Sequence, residues 1–311
     1  EATKRDPDYA DAWLNLGVAQ KESGQLADAE ATYRHALTLT PNDPTIYNNL
    51  GNVLSNLKRP DEALAAFHKA LALDPAYEDA KTNLAMALRD AGEIEQALEI
   101  LAEAVAENPT RPTLLNIYGN TLRQAERYEE SIEVLQKAVH LDPRHGEAHN
   151  NLGLAYALKY KMDEAAEHLR LASELRPDSA VIHNNYGALL LRLFRFEPCI
   201  TALERAVELD PKYDEALTNL GIAHYMLGNA DKAISAYKRV IARNPDSSFA
   251  HYSLGVAYLE DQRLAEAEVE ITRSLELDPK NALARNTLGV LLLDQHRVAD
   301  ACAAMRGAAD V

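Results

Sequence analysis

The sequence predicts an all-α solenoid of antiparallel helix pairs, and three periodic features carry that prediction. Prolines recur every 34 residues, at Pro7, Pro41, Pro75, Pro109, Pro143, Pro177, Pro211, Pro245 and Pro279, so nine of the 13 prolines share one lattice. Glycines keep the same period at Gly17, Gly51, Gly119, Gly153, Gly187, Gly221, Gly255 and Gly289, with Ala85 in the one gap. Between these marks, small and large apolar residues return at helical spacing. Self-similarity at one fixed period of this length is the signature of a repeat array.

With Ala10 as position 1, nine units begin at Ala10, Pro44, Glu78, Pro112, Gly146, Ala180, Asp214, Ser248 and Ala282, without insertion or deletion. Residues 1–9 read as the tail of a preceding unit, with Ala2 and Pro7 in its last places, and the ninth unit is incomplete. In each first helix, positions 4, 7, 8 and 11 fall on one stripe. Position 7 is large (Leu16, Leu50, Leu84, Tyr118, Leu152, Tyr186, Leu220, Leu254, Leu288) and position 8 is the glycine lattice. Positions 20, 24 and 27 form the stripe of a second helix. Position 20 is small from Ala29 to Ala301, Ser131 and Cys199 included; position 24 runs Tyr33, Phe67, Leu101, Leu135, Leu169, Leu203, Tyr237, Ile271, Met305. Position 27 is alanine from Ala36 to Ala308, except Val240 and Ser274. Small residues let the two backbones approach and large ones fill the remaining volume. Proline at position 32 ends the second helix and sets the next turn. One hairpin cannot bury its apolar face alone, so stacking supplies the stability. No polar capping helix is visible, so both ends read as cut. Ala301, Ala304, Met305 and Ala308 are then expected to invite end-to-end self-association.

Composition agrees and excludes several function classes. Of 311 residues, 47% are apolar, with only four Phe and one Trp, a balance suited to close helix packing. The formal charge of −16 argues against a nucleic-acid binder, which needs a basic footprint, and against docking on anionic lipid. Cys199 and Cys302 have no CxxC neighbour, so neither a disulfide framework nor a thiolate zinc site is expected. No sequon, signal peptide or membrane-length apolar run is visible, and a cytoplasmic setting is the default expectation. His149, His183 and His251 share position 4 and read as packing residues, too far apart to ligate one metal. No phosphate loop, nucleophile elbow or metalloprotease motif occurs, so no catalytic residue, metal or cofactor is expected.

The chain resembles the tetratricopeptide-repeat family over residues 10–311. In the first unit Trp13, Leu16, Gly17, Ala29, Tyr33, Ala36 and Pro41 match the family pattern. The resemblance implies a right-handed superhelical solenoid whose first helices line a concave groove, and a protein-binding scaffold rather than an enzyme. The family's clamp for acidic chaperone tails needs Lys or Arg at positions 2, 5 and 6, and none stands there.

Asparagines mark the groove. Position 6 carries Asn15, Asn49, Asn83, Asn151, Asn185 and Asn219, and position 5 adds Asn48, Asn116, Asn150, Asn184 and Asn286. Position 6 lies roughly 150° from the packing stripe and reads as neither core nor cap. Asn is a mediocre helix former, so its repetition asks for a use. Carboxamides offer donors and acceptors. They suit either gripping the main chain of an extended peptide or bridging neighbouring first helices. The row, with its NNLG phrase at 48–51 and 150–153, resembles the asparagine ladder in the arm of O-linked N-acetylglucosamine transferases. There it holds substrate polypeptide beside a separate catalytic domain, no residue of which is present here.

The remaining groove positions change character along the chain. Early units give Asn52, Ser55, Asn56, Arg89, Asn120, Arg123 and Gln124; later ones give Leu154, Leu158, Leu191, Ile222, Tyr225, Met226, Tyr252, Val256, Leu259, Val290 and Leu293, with Phe249 at position 2. An apolar lining marks a binding site or a face that packs on further sequence. The expected function is a scaffold taking an extended or helical peptide. The alternatives are the recognition arm of a larger glycosyltransferase and a self-associating assembly scaffold.

Overall fold

A computed structural model describes residues 9–306; the tail residues Ala2 and Pro7 and the end residue Ala308 lie outside them. Among the described residues there are eighteen α-helices in two alternating series. The first helices are α1 (Ala10–Glu22), α3 (Pro44–Asn56), α5 (Glu78–Asp90), α7 (Pro112–Gln124), α9 (Gly146–Leu158), α11 (Ala180–Arg192), α13 (Asp214–Met226), α15 (Ser248–Glu260) and α17 (Ala282–Asp294). The second helices are α2 (Leu26–Leu39), α4 (Pro60–Leu73), α6 (Ile94–Glu107), α8 (Tyr128–Leu141), α10 (Met162–Leu175), α12 (Phe196–Leu209), α14 (Ala230–Arg243), α16 (Leu264–Leu277) and α18 (Val298–Arg306). The chain divides into two compact units, Glu1–Lys159 and Tyr160–Val311.

Within each unit the packing follows from residue size. The Ala at position 20 and the residue at position 24 are buried, from Ala29 and Tyr33 to Ala267 and Ile271. Position 8 must be small because the position-24 side chain lies over it. A Cβ on Gly51 would stand 2.5 Å from the Phe67 ring, and one on Gly187 would stand 2.6 Å from Leu203. The polar variants at position 20 fit for a specific reason. Ser131 Oγ donates to the Gly119 carbonyl at 2.6 Å, and Cys199 Sγ donates to that of Gly187 at 3.2 Å. Burial pushes the Cys199 thiol up to about 11.

Two turn devices repeat with the period. The residue two places past each first helix is left-handed, a conformation that glycine supplies at Gly24, Gly92 and Gly228. Lys58, Glu126, Tyr160, Phe194, Gln262 and His296 adopt it at the equivalent place in the other units. The second device closes the turn after proline. From position 4, Tyr47 Oη donates to the Pro41 carbonyl at 3.3 Å, while His149 Nε2 and His251 Nε2 contact the carbonyls of Pro143 and Pro245 at 3.2 and 3.0 Å. His149 and His251 thus have a backbone partner, six residues back, that spacing alone does not reveal.

Within each compact unit, a first helix packs on the second helix of its own repeat and on that of the repeat before. Inside a unit most first helices also pack on the first helix of the next repeat, whereas second helices make no comparable mutual contact among the described residues. The first helices therefore form the tighter, inner face. The second helices carry ion pairs on the outside, such as Arg59 with Glu30 and Glu62, and Arg297 with Glu268 and Asp300. No described helix is long and apolar enough to cross a membrane.

Candidate peptide-binding face

The asparagines divide into two sets that differ by one helical step. At position 5, Asn48, Asn116, Asn150 and Asn184 are buried. At position 6, Asn49, Asn83, Asn151, Asn185 and Asn219 are half-buried, and Asn15 is exposed. Position 6 is neither core nor cap, and three of its members reach back to the preceding repeat. Asn83 Nδ2 donates to Asn48 Oδ1 at 2.9 Å, Asn151 Nδ2 to Asn116 Oδ1 at 2.9 Å, and Asn219 Nδ2 to Asn184 Oδ1 at 3.1 Å. Each bond spans 35 residues, one repeat plus one residue. Tyr252 Oη and Thr287 Oγ1, 3.3 Å apart, occupy the same relation.

The buried partner is held from its other side as well. Asn48 Nδ2 donates to Tyr77 Oη at 3.5 Å. Asn184 Nδ2 donates to Tyr213 Oη at 3.2 Å and to Glu215 Oε1 at 3.0 Å. Tyr77 and Tyr213 precede the next first helix, so each buried carboxamide ties its own repeat to the following one. Bridging is therefore the observed use of Asn48, Asn83, Asn116, Asn151, Asn184 and Asn219. The position-5 carboxamides Asn48, Asn116, Asn150 and Asn184, expected among the gripping residues, are buried and leave little surface to a ligand. Sequence reasoning missed the tyrosines; their regular place just before a first helix was the available signal.

In Glu1–Lys159 the face that remains open is polar. Asn49, Asn52 and Asn120 are half-buried on it. Asn120 Oδ1 accepts from Arg123 Nη2 at 2.7 Å. Arg89, one repeat earlier at the same position, binds the neighbouring Asp90. Burial pulls the Arg123 guanidinium below its ordinary range; Tyr128 opposes this and Arg89 adds to it.

In Tyr160–Val311 the corresponding positions are apolar. Leu191, Ile222, Tyr225, Tyr252 and Leu259 are half-buried against the core, while Met226 is 47% and Phe249 53% exposed. Clefts on the outer side, such as one of about 510 Å³ lined by Glu133, Gln136, Lys137 and His140, are shallow and gather no convergent chemistry. No group of three or more potential metal ligands occurs among the described residues.

Helix hairpins of one length, stitched through their inner helices, define a helical-repeat interaction protein. Tetratricopeptide-repeat models match residues 1–31, 57–119, 146–179, 178–246, 227–273 and 252–310, and a TPR-repeat model matches 21–58 and 119–159. The chain belongs to the tetratricopeptide-repeat family. Among solved structures it is similar to YrrB, a TPR protein with an unusual peptide-binding site, at 24% identity over 59% of this chain and 95% of that one (TM-score 0.55). A thermophilic TPR protein of Thermus thermophilus matches at 28% identity over 58% and 99% (TM-score 0.52), and MamA at 28% over 55% and 93% (TM-score 0.51). No curated protein sequence matches.

Proposed function

We propose that this interaction scaffold takes an extended peptide along its first helices, with apolar peptide side chains seated on Tyr160–Val311. The observation that carries the proposal is the exposure of Phe249 and Met226 beside half-buried Ile222, Tyr225, Tyr252 and Leu259. Exposed apolar groups gathered on one face mark an interaction site, and aromatic residues and Met are enriched in such sites. On Glu1–Lys159, taken by itself, the half-buried carboxamides Asn49 and Asn52 offer donors and acceptors to a peptide main chain. Selection from a random peptide library tests the reading. Enriched peptides should carry large apolar side chains, and Phe249→Ser with Met226→Ser should weaken them about ten-fold or more. Equal binding to the double variant would remove the apolar face as the site.

A further inference from the structure

Arg123 is a half-buried cation without a counter-charge among the described residues. Its Nε is shielded from solvent and has no hydrogen-bond partner. Its only hydrogen bond runs from Nη2 to Asn120 Oδ1 at 2.7 Å, and no carboxylate pairs with it among the described residues. Nη1 has no hydrogen-bond partner among the described residues and, unlike Nε, is not sealed from solvent. Burying a charge unpaired is expensive, and buried arginines are as a rule paired. Among the described residues no Asp or Glu side chain fills this place.

A second guanidinium deepens the deficit. Arg89 stands at the same position of the preceding first helix, with its side chain 16% exposed. It is near enough to disfavour the charge on Arg123. Its partner is Asp90, whose side chain is 70% exposed and bonds at 2.7 Å. Of these two neighbouring cations only Arg89 has a carboxylate partner, a solvated one, in a chain of net charge −16. Asn120 fixes the plane of the Arg123 fork, and a planar fork matches a carboxylate better than any other common group.

We infer that Arg123, with Arg89 beside it and Asn120 orienting it, forms a carboxylate subsite on the first-helix face. It takes an acidic side chain or the C-terminal carboxylate of a bound peptide. The inference rests on the peptide reading above but concerns the first helices of Glu1–Lys159 alone. The acidic surface elsewhere repels a generally acidic ligand, so the subsite selects one well-placed carboxylate rather than an acidic run.

Three random-peptide pools test it: central Glu with an amidated end, central Gln with a free C-terminus, and central Gln with an amidated end. One of the first two should bind at least about ten-fold better than the third, the worth of one charge-assisted contact, and which one identifies the carboxylate's source. Arg123→Gln should abolish that preference and Arg89→Gln should reduce it, with the helical fold retained by circular dichroism. Equal binding of all three pools, or a preference that survives Arg123→Gln, overturns the inference and leaves the apolar reading standing. If no pool binds, the Arg123 side-chain N–H resonance decides, under titration with N-acetylglutamate α-amide against N-acetylglutamine amide. A shift with the carboxylate alone upholds the subsite while removing the peptide reading; no shift removes both.

Discussion

The carboxamide bridge between Asn184 and Asn219 makes a quantitative prediction about how neighbouring repeats hold together. Asn184 is fully buried, and its Oδ1 accepts from Asn219 Nδ2 at 3.1 Å. Asn219→Ala removes that donor and leaves a buried acceptor unsatisfied, which costs about 1–3 kcal/mol. Alanine is the better helix former and returns roughly 0.5 kcal/mol. The expected net loss is therefore about 0.5–2.5 kcal/mol. Asn184→Ala also releases Tyr213 and Glu215, but those partners are not fully buried and regain water. In the double variant the second substitution finds no bond left to break, so the two losses should fall short of additive by about 1–2 kcal/mol. Urea unfolding of the four proteins, followed by circular dichroism and fitted with a nearest-neighbour model, measures this; the coupling should appear between repeats rather than within one. Asn15→Ala is the control, since Asn15 is exposed and should change stability little. A coupling within the ~0.5 kcal/mol scatter of independent sites would refute the bridge as a source of stability.

Further outcomes follow from single environments. Asn151→Ala should lower stability, since Asn151 satisfies the buried Asn116, while leaving affinity for library-selected peptides nearly unchanged; loss of affinity at unchanged stability would restore gripping as its role. Cys302 is exposed and Cys199 buried, its thiol pushed up to about 11, so a thiol reagent should modify Cys302 at once and Cys199 only on unfolding. Burial holds His183 and His224 below their ordinary 6.5, so the stability tied to their neutral forms is complete above that pH and is lost as pH falls below it. The urea midpoint should therefore decline from pH 6.5 downward, and His224→Leu, which copies Leu54, Leu88, Leu122, Leu190 and Leu292 at the same repeat position, should flatten the decline. Gly255→Ala should cost about 1–3 kcal/mol in the same assay, because a Cβ there would meet Ile271 Cγ1 at 2.5 Å and two backbone atoms at 3.3 Å.

The sequence by itself determined the all-helical class, the 34-residue period and the places where small residues face large ones. Those features are local. Proline and left-handed turn residues punctuate the chain, a 3.6-residue repeat sets the stripe, and nine copies of one pattern average out individual exceptions such as Val240 and Ser274. Asn48 and Asn49 are adjacent in sequence and identical in chemistry, yet one is buried and the other half-buried. Only the lateral position of the next first helix separates them. It brings position 6 of one repeat onto position 5 of the repeat before, and helical periodicity within a single repeat carries no information about that offset. The same holds for Arg123. Its position on the inner face was legible from spacing, but its missing counter-charge was not, because the nearest carboxylate in space is set by how repeats stack. The period told where each helix lies; the packing between repeats decided which polar groups hold the array together and which remain for a partner.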